Sequence, residues 1–470
     1  MLFSSITFLY YFLPIVLAVY FLVPRRGKNL VLLLASLVFY WWGEPRYVFL
    51  MLFTIAFAYV CGLLIGRFRG RGAAKGFLVL SVAGELAVLG YFKYADFFLA
   101  TVNTALKTEL PLLSIALPIG ISFYTFQTLS YTVDVYRGTV APQRSFLRLA
   151  TYIAMFPQLI AGPIVRYTDV SAELERRKRT LTERHTTAED LGQGLTRFVL
   201  GLSKKVLLAN QLGAFAAALQ SSGEQTVLLA WLSAIAFTLQ IYFDFSGYSD
   251  MAIGLGRVLG FRFLENFNYP LIARSATEFW RRWHISLGSW FRDYVYIPLG
   301  GSRKGRARQL LNILIVWLLT GLWHGAAWNF VLWGLFFAAL LVLEKLFLLR
   351  VLEHLPRAAG HGYLLLAAVI GFAVFNADGL SGAAADLSCM FGFSGVPFAG
   401  AQTLYYLSSY GLLLLLAVVG ATPLPGRIAA RCAQCRGMTI IQPAVLLALL
   451  LVCTAYLVDG SFNPFLYFRF

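Results

Sequence analysis

The sequence predicts an all-α fold, a polytopic membrane helix bundle formed as one membrane-embedded domain over residues 1–470, and three observations predict it. Hydrophobic residues make up 59% of the 470 positions and charged residues only 13%, a balance outside that of soluble domains. The apolar runs approach about twenty residues, the length that crosses a hydrocarbon core as a helix, and lack the short alternation of an outer-membrane barrel. The basic residues sit in short clusters between those runs, which is the positive-inside pattern. The net charge of +17 therefore reports orientation in a bilayer, and no nucleic-acid partner is expected. About eleven transmembrane helices with added re-entrant and interfacial helices are predicted from these run lengths.

The first run, 6–23, has no basic n-region and no small-residue cleavage site, so it reads as a retained helix. Arg25, Arg26 and Lys28 follow it and place the N-terminus on the exoplasmic side. Run 30–42 returns outward to Glu44, Pro45 and Arg46, and run 47–65 descends to Arg67, Arg69, Arg71 and Lys75. Run 77–89 rises with the acid Glu85, followed by an amphipathic stretch, 91–106, expected to lie at the outer interface. Run 118–136 descends to Arg137 and Arg144. Residues 146–165 have basic residues at both ends and contain Pro157, Gly162 and Pro163. That pattern predicts a re-entrant segment, because irregular backbone at membrane depth is tolerated only inside protein or beside a cavity. The longest polar stretch, 166–190, includes Glu175, Arg176, Arg177, Lys178, Arg179 and His185, and reads as a cytoplasmic helix or loop.

Runs 197–219 and 226–242 are two further spans. After them Asp244 and Asp250 lie inside apolar surroundings, and Gly247, Gly254, Gly256 and Gly260 suit close helix packing. The glycines do not match G-x-G-x-x-G and follow no strand, which excludes a dinucleotide fingerprint. The run containing His324 comes next, and its glycines are expected to turn it so that 330–349 returns to Arg350 and Arg357. Run 364–375 rises to an outer loop with Asp378 and Asp386, and 403–419 descends to Arg427, Arg431 and Arg436. Run 439–458 rises last and leaves the C-terminus exoplasmic. Cys61, Cys389, Cys432, Cys435 and Cys453 form no metal-ligand set. Cys432 and Cys435 make a lone C-x-x-C in a basic loop, so no metal and no bound cofactor are expected.

Two stretches carry chemistry. His324 follows Gly321 and precedes Gly325 in an apolar run that starts from the basic cluster Arg303, Lys304, Arg306 and Arg308. At ~1.5 Å per residue a helix from that cluster reaches roughly 24 Å by His324, most of the way across a core of about 30 Å. An ionisable residue at that depth points to function. A lone histidine could equally be bonded to a neighbouring helix, with Trp323, Trp328 and Trp333 as packing aromatics. The second stretch, 278–294, sets Glu278, Arg281, Arg282, His284, Arg292 and Asp293 among six aromatics. Glu278, Arg281 and Arg282 share a helix face. They fit an interfacial helix with snorkelling arginines, and a guanidinium pair is also a receiver for phosphates such as those of coenzyme A or phosphopantetheine.

Phe279-Trp-Arg-Arg-Trp-His284 followed by Gly321-Leu-Trp-His-Gly325 resembles the bacterial branch of the membrane-bound O-acyltransferase family. The likeness is to the alginate O-acetyltransferase type and, more distantly, to the D-alanyl transfer protein of teichoic acid modification. Segments 117–124, 157–164, 242–250 and 463–470 extend it across most of the chain in the same order. The resemblance implies that His324 is the catalytic histidine and His284 the second polar residue of the site. A desolvated imidazole stays neutral and can accept a proton, so His324 fits a general base acting on a hydroxyl that attacks a thioester. His284 would position the donor or stabilise charge. Arg281, Arg282 and Trp283 would bind the donor, acetyl-CoA, while Asp244, Asp250, Glu278 and Trp323 would support the site.

The terminal Phe465-Leu-Tyr-Phe-Arg-Phe470 resembles the F-x-Y-x-x-F motif linked to acyl relay in bacterial relatives, which makes Tyr467 a candidate acyl carrier; an interfacial aromatic tail is the simpler alternative. Where many relatives carry arginine after the corresponding phenylalanine, Phe375 is followed by Asn376, which weakens transfer of any one polymer substrate to this chain. The implied function is delivery of an acetyl group across the bacterial cytoplasmic (inner) membrane to an exported polysaccharide. A periplasmic or membrane-anchored partner with a serine nucleophile is expected, since the chain has no G-x-S-x-G elbow. D-alanyl transfer from a carrier protein and a proton-coupled transporter using Glu85, Asp244, Asp250, His284 and His324 are the rivals. His324 is expected at the narrowest point of a passage joining two compartments.

Overall fold

The computed structural model describes residues 1–160, 162–175, 187–433, 435, 437–460 and 465–466. The stretch holding Arg176 to Arg179 and His185, and also Arg436 and Tyr467, lies outside the described residues. Among those described, the chain is helical and no strand forms. In chain order the helices are α1 (Leu13–Leu22), α2 (Lys28–Gly43), α3 (Tyr47–Arg67), α4 (Gly72–Leu89), α5 (Ala95–Leu106), α6 (Ile121–Arg137) and α7 (Phe146–Ala154). Next come α8 (Phe156–Leu159), α9 (Tyr167–Glu175), α10 (Ala188–Ser203), α11 (Asn210–Gln220), α12 (Val227–Val258), α13 (Ala276–Arg282) and α14 (Ile285–Phe291). The last are α15 (Arg306–His324), α16 (Trp328–Leu343), α17 (Leu349–His354), α18 (Arg357–Asn376), α19 (Gly379–Met390), α20 (Ala401–Gly420), α21 (Leu424–Cys432) and α22 (Met438–Asp459).

Among the described residues six helical stretches are long and apolar enough to cross a membrane, namely α3, Gly72–Leu106, α12, α18, α20 and α22, and Phe8–Leu22 and Lys28–Gly43 are shorter apolar helices. The protein is therefore an all-helical, multi-pass membrane protein. The remaining predicted spans are shorter or more polar, and α6 shows why. Thr125, Gln127, Thr128, Ser130, Thr132 and Asp134 on it are all buried. Two of the hydroxyls bond to the helix's own backbone, Thr128 donating to the Thr125 carbonyl and Ser130 to that of Gln127, both at 2.9 Å. A helix enclosed by other helices can carry such residues at little cost.

Contacts group the chain into two compact units, Met1–Phe198 with Tyr248–Leu264, and Val199–Gly247 with Glu265–Phe470. In the first, α3, α4, α7 and α9 pack on α6. Residues 72–106 run as one helical stretch through a π-helical turn at Gly90–Tyr94, where the sequence suggested a break and an interfacial segment. Lys93, which interrupts the apolar pattern, is buried and donates to Ser122 Oγ at 3.3 Å. Asp96 accepts the backbone N–H groups of Leu113 and Ile115 at 2.6 and 3.2 Å. The Pro157 region does break its helix between α7 and α8, and Met155, Phe156, Pro157 and Gln158 are buried in protein. Asp250 pairs with Arg197 at 2.8 Å, and a Cβ on Gly254 would stand 2.6 Å from the Gly194 carbonyl oxygen, so small residues there do permit close helix approach. Glu85 is buried in this unit.

The second unit is built on the hairpin of α15 and α16. A Cβ on Gly321 would collide with the Phe330 carbonyl oxygen, and one on Gly334 with that of Trp317. Glycine at both positions lets the two backbones touch. Around the hairpin, Phe279, Trp280, Trp283, Trp317, Trp333, Phe337, Phe372 and Phe375 interlock in one aromatic core. Glu344, at the end of α16, is 2% exposed and accepts the Ala276 and Thr277 N–H groups at 2.6 and 2.8 Å and the Tyr363 hydroxyl at 3.1 Å. It thereby satisfies the first turn of α13 and fixes the helix that leads to His284.

Candidate active site

His324 is the last residue of α15, and the chain then turns extended at Gly325. At ~1.5 Å per residue the 19 residues of α15 carry it roughly 28 Å from the helix start. Its ring is 5% exposed and is boxed edge-on by Trp323, Trp333 and Phe375 at centroid distances of 5.1, 5.0 and 5.3 Å. Asn329 on α16 donates to the carbonyls of Phe375 and Ala377 at 3.2 and 3.0 Å, which ties the end of α18 to this box. A cavity of about 20 Å³ opens beside His324, lined also by Asp244, Phe245, Trp283, Phe372, Phe465 and Leu466. That is room for about one water.

Asp244 in the cavity wall belongs to a buried ion pair. Asp244 Oδ1 lies 2.6 Å from Lys205 Nζ, with side chains 1% and 5% exposed. Asp244 Oδ2 accepts the backbone N–H of Leu466 at 2.7 Å. Lys205 offsets the charge of a carboxylate that would otherwise be stranded. The C-terminal residues Phe465 and Leu466 are thus held against the cavity that His324 faces. Tyr467 follows directly in sequence but lies outside the described residues.

His284 occupies the junction of α13 and α14 at φ 45°, a left-handed conformation for a residue other than glycine. Such conformations cost of order 1–3 kcal/mol and persist where the surroundings impose them. Its Nδ1 lies 3.1 Å from Asn266 Oδ1, and the same oxygen accepts the Ser286 N–H at 3.2 Å and the Ser286 hydroxyl at 2.9 Å. The Phe245 ring meets His284 edge-on at 4.6 Å, and Trp323 lies 5.9 Å away. Burial pushes the His284 pKa down to about 3, so the ring is neutral at physiological pH.

The other predicted residues divide. Arg282 is bound to Glu278 at 2.9 Å and donates to the Asn268 carbonyl at 3.2 Å, whereas Arg281 is exposed. The two arginines therefore do not form a free pair. Trp283 is 3% exposed and lines the His324 cavity instead of joining Arg281. Trp323 is also 3% exposed, beside both histidines. Asp250 belongs to the first unit with Arg197, so of the two aspartates Asp244 is the one at the cavity. Sequence reasoning passed over Lys205, Asn266, Trp333 and Phe375 as site residues. Lys205 had a signal, a lysine inside an apolar run; Asn266 had none.

A second, larger space of about 670 Å³ lies in the same unit, lined by Glu224, Thr226, Phe237, Ala373, Asn376 and Asp386 among others. Phe237 is one turn from Ile241, and Ala373 is next to Phe372, both of which line the small cavity. Burial raises the Asp386 carboxyl above its ordinary range.

Residues 140–375 match the family model described as membrane-bound O-acyltransferase. The chain is 39% identical to a probable alginate O-acetylase of Azotobacter vinelandii, with both chains covered over 100% of their lengths. It is 44% identical to the probable alginate O-acetylase of Pseudomonas aeruginosa over 84% of this chain and 75% of that one. It is 34% identical to a peptidoglycan O-acetyltransferase of Helicobacter pylori over 71% of this chain and 68% of that one.

Proposed function

Since this chain belongs to the membrane-bound O-acyltransferase family, we propose that it moves an acetyl group from acetyl-CoA through the membrane to O-acetylate an exported polysaccharide. The observation that carries the reading is the shared cavity: His324, enclosed by aromatics at the end of α15, faces the C-terminal residues that Asp244 holds in place. The relatives named as alginate and peptidoglycan O-acetylating proteins support a glycan as the final acceptor.

In this reading the neutral imidazole of His324 removes the proton from a hydroxyl as its oxygen attacks the thioester carbonyl. The new C–O bond forms, the C–S bond breaks, and the proton passes to the departing thiolate. General-base assistance of this kind is typically worth about 10²- to 10⁴-fold in rate. The phenol of Tyr467 is the first hydroxyl acylated, and a second transfer passes the acetyl group to a serine of a periplasmic or membrane-anchored partner. Arg281 contacts phosphates of the donor. The chain sits in the bacterial inner membrane with both termini exoplasmic.

The test is incubation of the purified chain with acetyl-labelled acetyl-CoA. Label is expected on wild-type protein and absent from His324→Ala and Tyr467→Phe. Transfer surviving in a folded His324→Ala protein overturns the role of His324. Label that only accumulates inside vesicles identifies a carrier, and consumption of a protein-bound thioester in place of acetyl-CoA identifies carrier-protein-dependent transfer.

A further inference from the structure

We infer that Asn266 is a positioning residue that sets the tautomer of His284, placing the ring proton on Nδ1 and leaving Nε2 as a bare nitrogen that accepts a hydrogen bond or a proton. The inference rests on the acyltransferase reading for its chemical meaning, and on geometry alone for the tautomer.

The geometry runs from a group that cannot change its role. The Ser286 backbone N–H can only donate, and the side-chain atom of Asn266 in front of it, 3.2 Å away, must therefore be the oxygen. The Ser286 hydroxyl donates to the same atom at 2.9 Å. The amide is thus oriented without reference to the histidine. His284 Nδ1 faces that same oxygen at 3.1 Å. Two lone pairs would repel at that distance, so Nδ1 carries the hydrogen, and a neutral ring with Nδ1–H has none on Nε2. His284 Nε2 is buried and has no hydrogen-bond partner among the described residues.

A buried acceptor without a partner is costly, and here it lies on the ring that adjoins Phe245, which lines the His324 cavity, and Trp323, which packs on the His324 ring. The consequence separates two roles that the sequence leaves open. An imidazole presenting a bare Nε2 cannot donate to a developing oxyanion. It accepts, and the group it receives is the hydroxyl of an acyl acceptor or of a water leading to one. The left-handed backbone at His284 and the Ile285 N–H, which donates to the Asn266 backbone carbonyl at 3.0 Å, hold the ring to this one orientation. Phe245, Trp323, Asn266 and Ser286 are the groups that face the ring, and among the described residues none of them is charged.

The test begins with a readout that needs no activity. In detergent-solubilised protein labelled with ¹⁵N-histidine, His284 identified by its loss in His284→Gln should show Nδ1 protonated and Nε2 unprotonated at neutral pH. Asn266→Ala should mix the tautomers, and Asn266→Asp, which keeps an acceptor oxygen, should preserve the wild-type form. Acyl transfer should fall by about 10²-fold in kcat in Asn266→Ala with KM for the thioester unchanged, as for loss of orientation. Asn266→Asp should recover rate with an acid limb moved to higher pH, because an adjacent carboxylate stabilises imidazolium. A protonated Nε2 in the wild type, or an Asn266→Ala protein with unaltered tautomer, overturns the assignment. If Asn266→Ala fails to fold, the wild-type and Asn266→Asp spectra decide it alone. Expected spectra in a protein that transfers no acyl group would overturn the transferase reading and uphold the tautomer.

Discussion

The Asp244 carboxylate holds Leu466 by its backbone N–H at 2.7 Å while its other oxygen meets Lys205 at 2.6 Å. Both charges are almost wholly buried, and Asp244 lines the His324 cavity. Removing one partner strands the other, which typically costs about 3–5 kcal/mol, whereas replacing both is far milder. Asp244→Leu and Lys205→Met should each lower the unfolding midpoint of the purified protein strongly, and the double variant should regain most of the loss. The double variant should still fail to transfer acyl groups, because nothing then fixes Leu466. Full activity in a stable double variant would remove the pair from the positioning of the C-terminus.

Arg281 and Arg282 make opposite predictions although they are adjacent. Arg282 is engaged by Glu278 and the Asn268 carbonyl, and Arg281 is exposed. Arg281→Ala should raise KM for acetyl-CoA about tenfold with kcat unchanged, the effect of one charge-assisted contact of about 1.4 kcal/mol. With a short acetyl thioester that lacks phosphates the effect should vanish. Arg282→Ala should change stability by less than about 1 kcal/mol, since its ion pair is partly exposed. An equal KM effect of Arg281→Ala on both thioesters would separate Arg281 from the phosphates.

What was legible in the sequence follows from one-dimensional signals. Apolar runs and basic clusters announce an all-helical membrane protein, and they place His324 deep along its helix because both the cluster at Arg306 and the run are contiguous. The family likeness rests on contiguous motifs for the same reason. Pairings between distant segments leave no such trace: nothing in the sequence tells that Lys205 meets Asp244 while Arg197 meets Asp250. Polar residues mislead when their partners are local or enclosed. Within the stretch 91–106, expected at the interface, nothing in the sequence tells that Lys93 is bonded to Ser122 and Asp96 to backbone of the following loop. Likewise Arg281, Arg282 and Trp283 are consecutive, but the turn of α13 sends one to the surface, one to Glu278 and one to the aromatic core.

The burial of His284 has a pH signature in stability as well as in catalysis. Its pKa is about 3 in the fold against an ordinary 6.5. Between those values the unfolded chain binds the extra proton, so this group's contribution is complete above about pH 6.5 and is lost progressively as pH falls. The slope approaches about 1.4 kcal/mol per pH unit at most. Thermal unfolding followed between about pH 7 and 4.5 should show a steeper decline for the wild type than for His284→Gln. Parallel declines would mean that His284 is not held neutral by the fold.

The contact of α15 with α16 sets where His324 ends up, and it can be tested without touching the histidine. A Cβ on Gly321 would meet a backbone carbonyl, that of Phe330, which cannot rotate away as a side chain could. Gly321→Ala should therefore destabilise the protein by about 1–3 kcal/mol, the usual cost of overpacking. Gly362 on α18 has nothing within 4 Å of an added Cβ, so Gly362→Ala should be stabilising by up to about 1 kcal/mol through helix propensity alone. Because Gly321 lies one turn before His324, any relaxation that relieves the collision shifts the imidazole relative to Trp333 and Phe375. Gly321→Ala should then lose acyl transfer even at temperatures where it remains folded, while Gly362→Ala keeps it. Equal activity in the two variants would show that the close approach of the helices serves stability only.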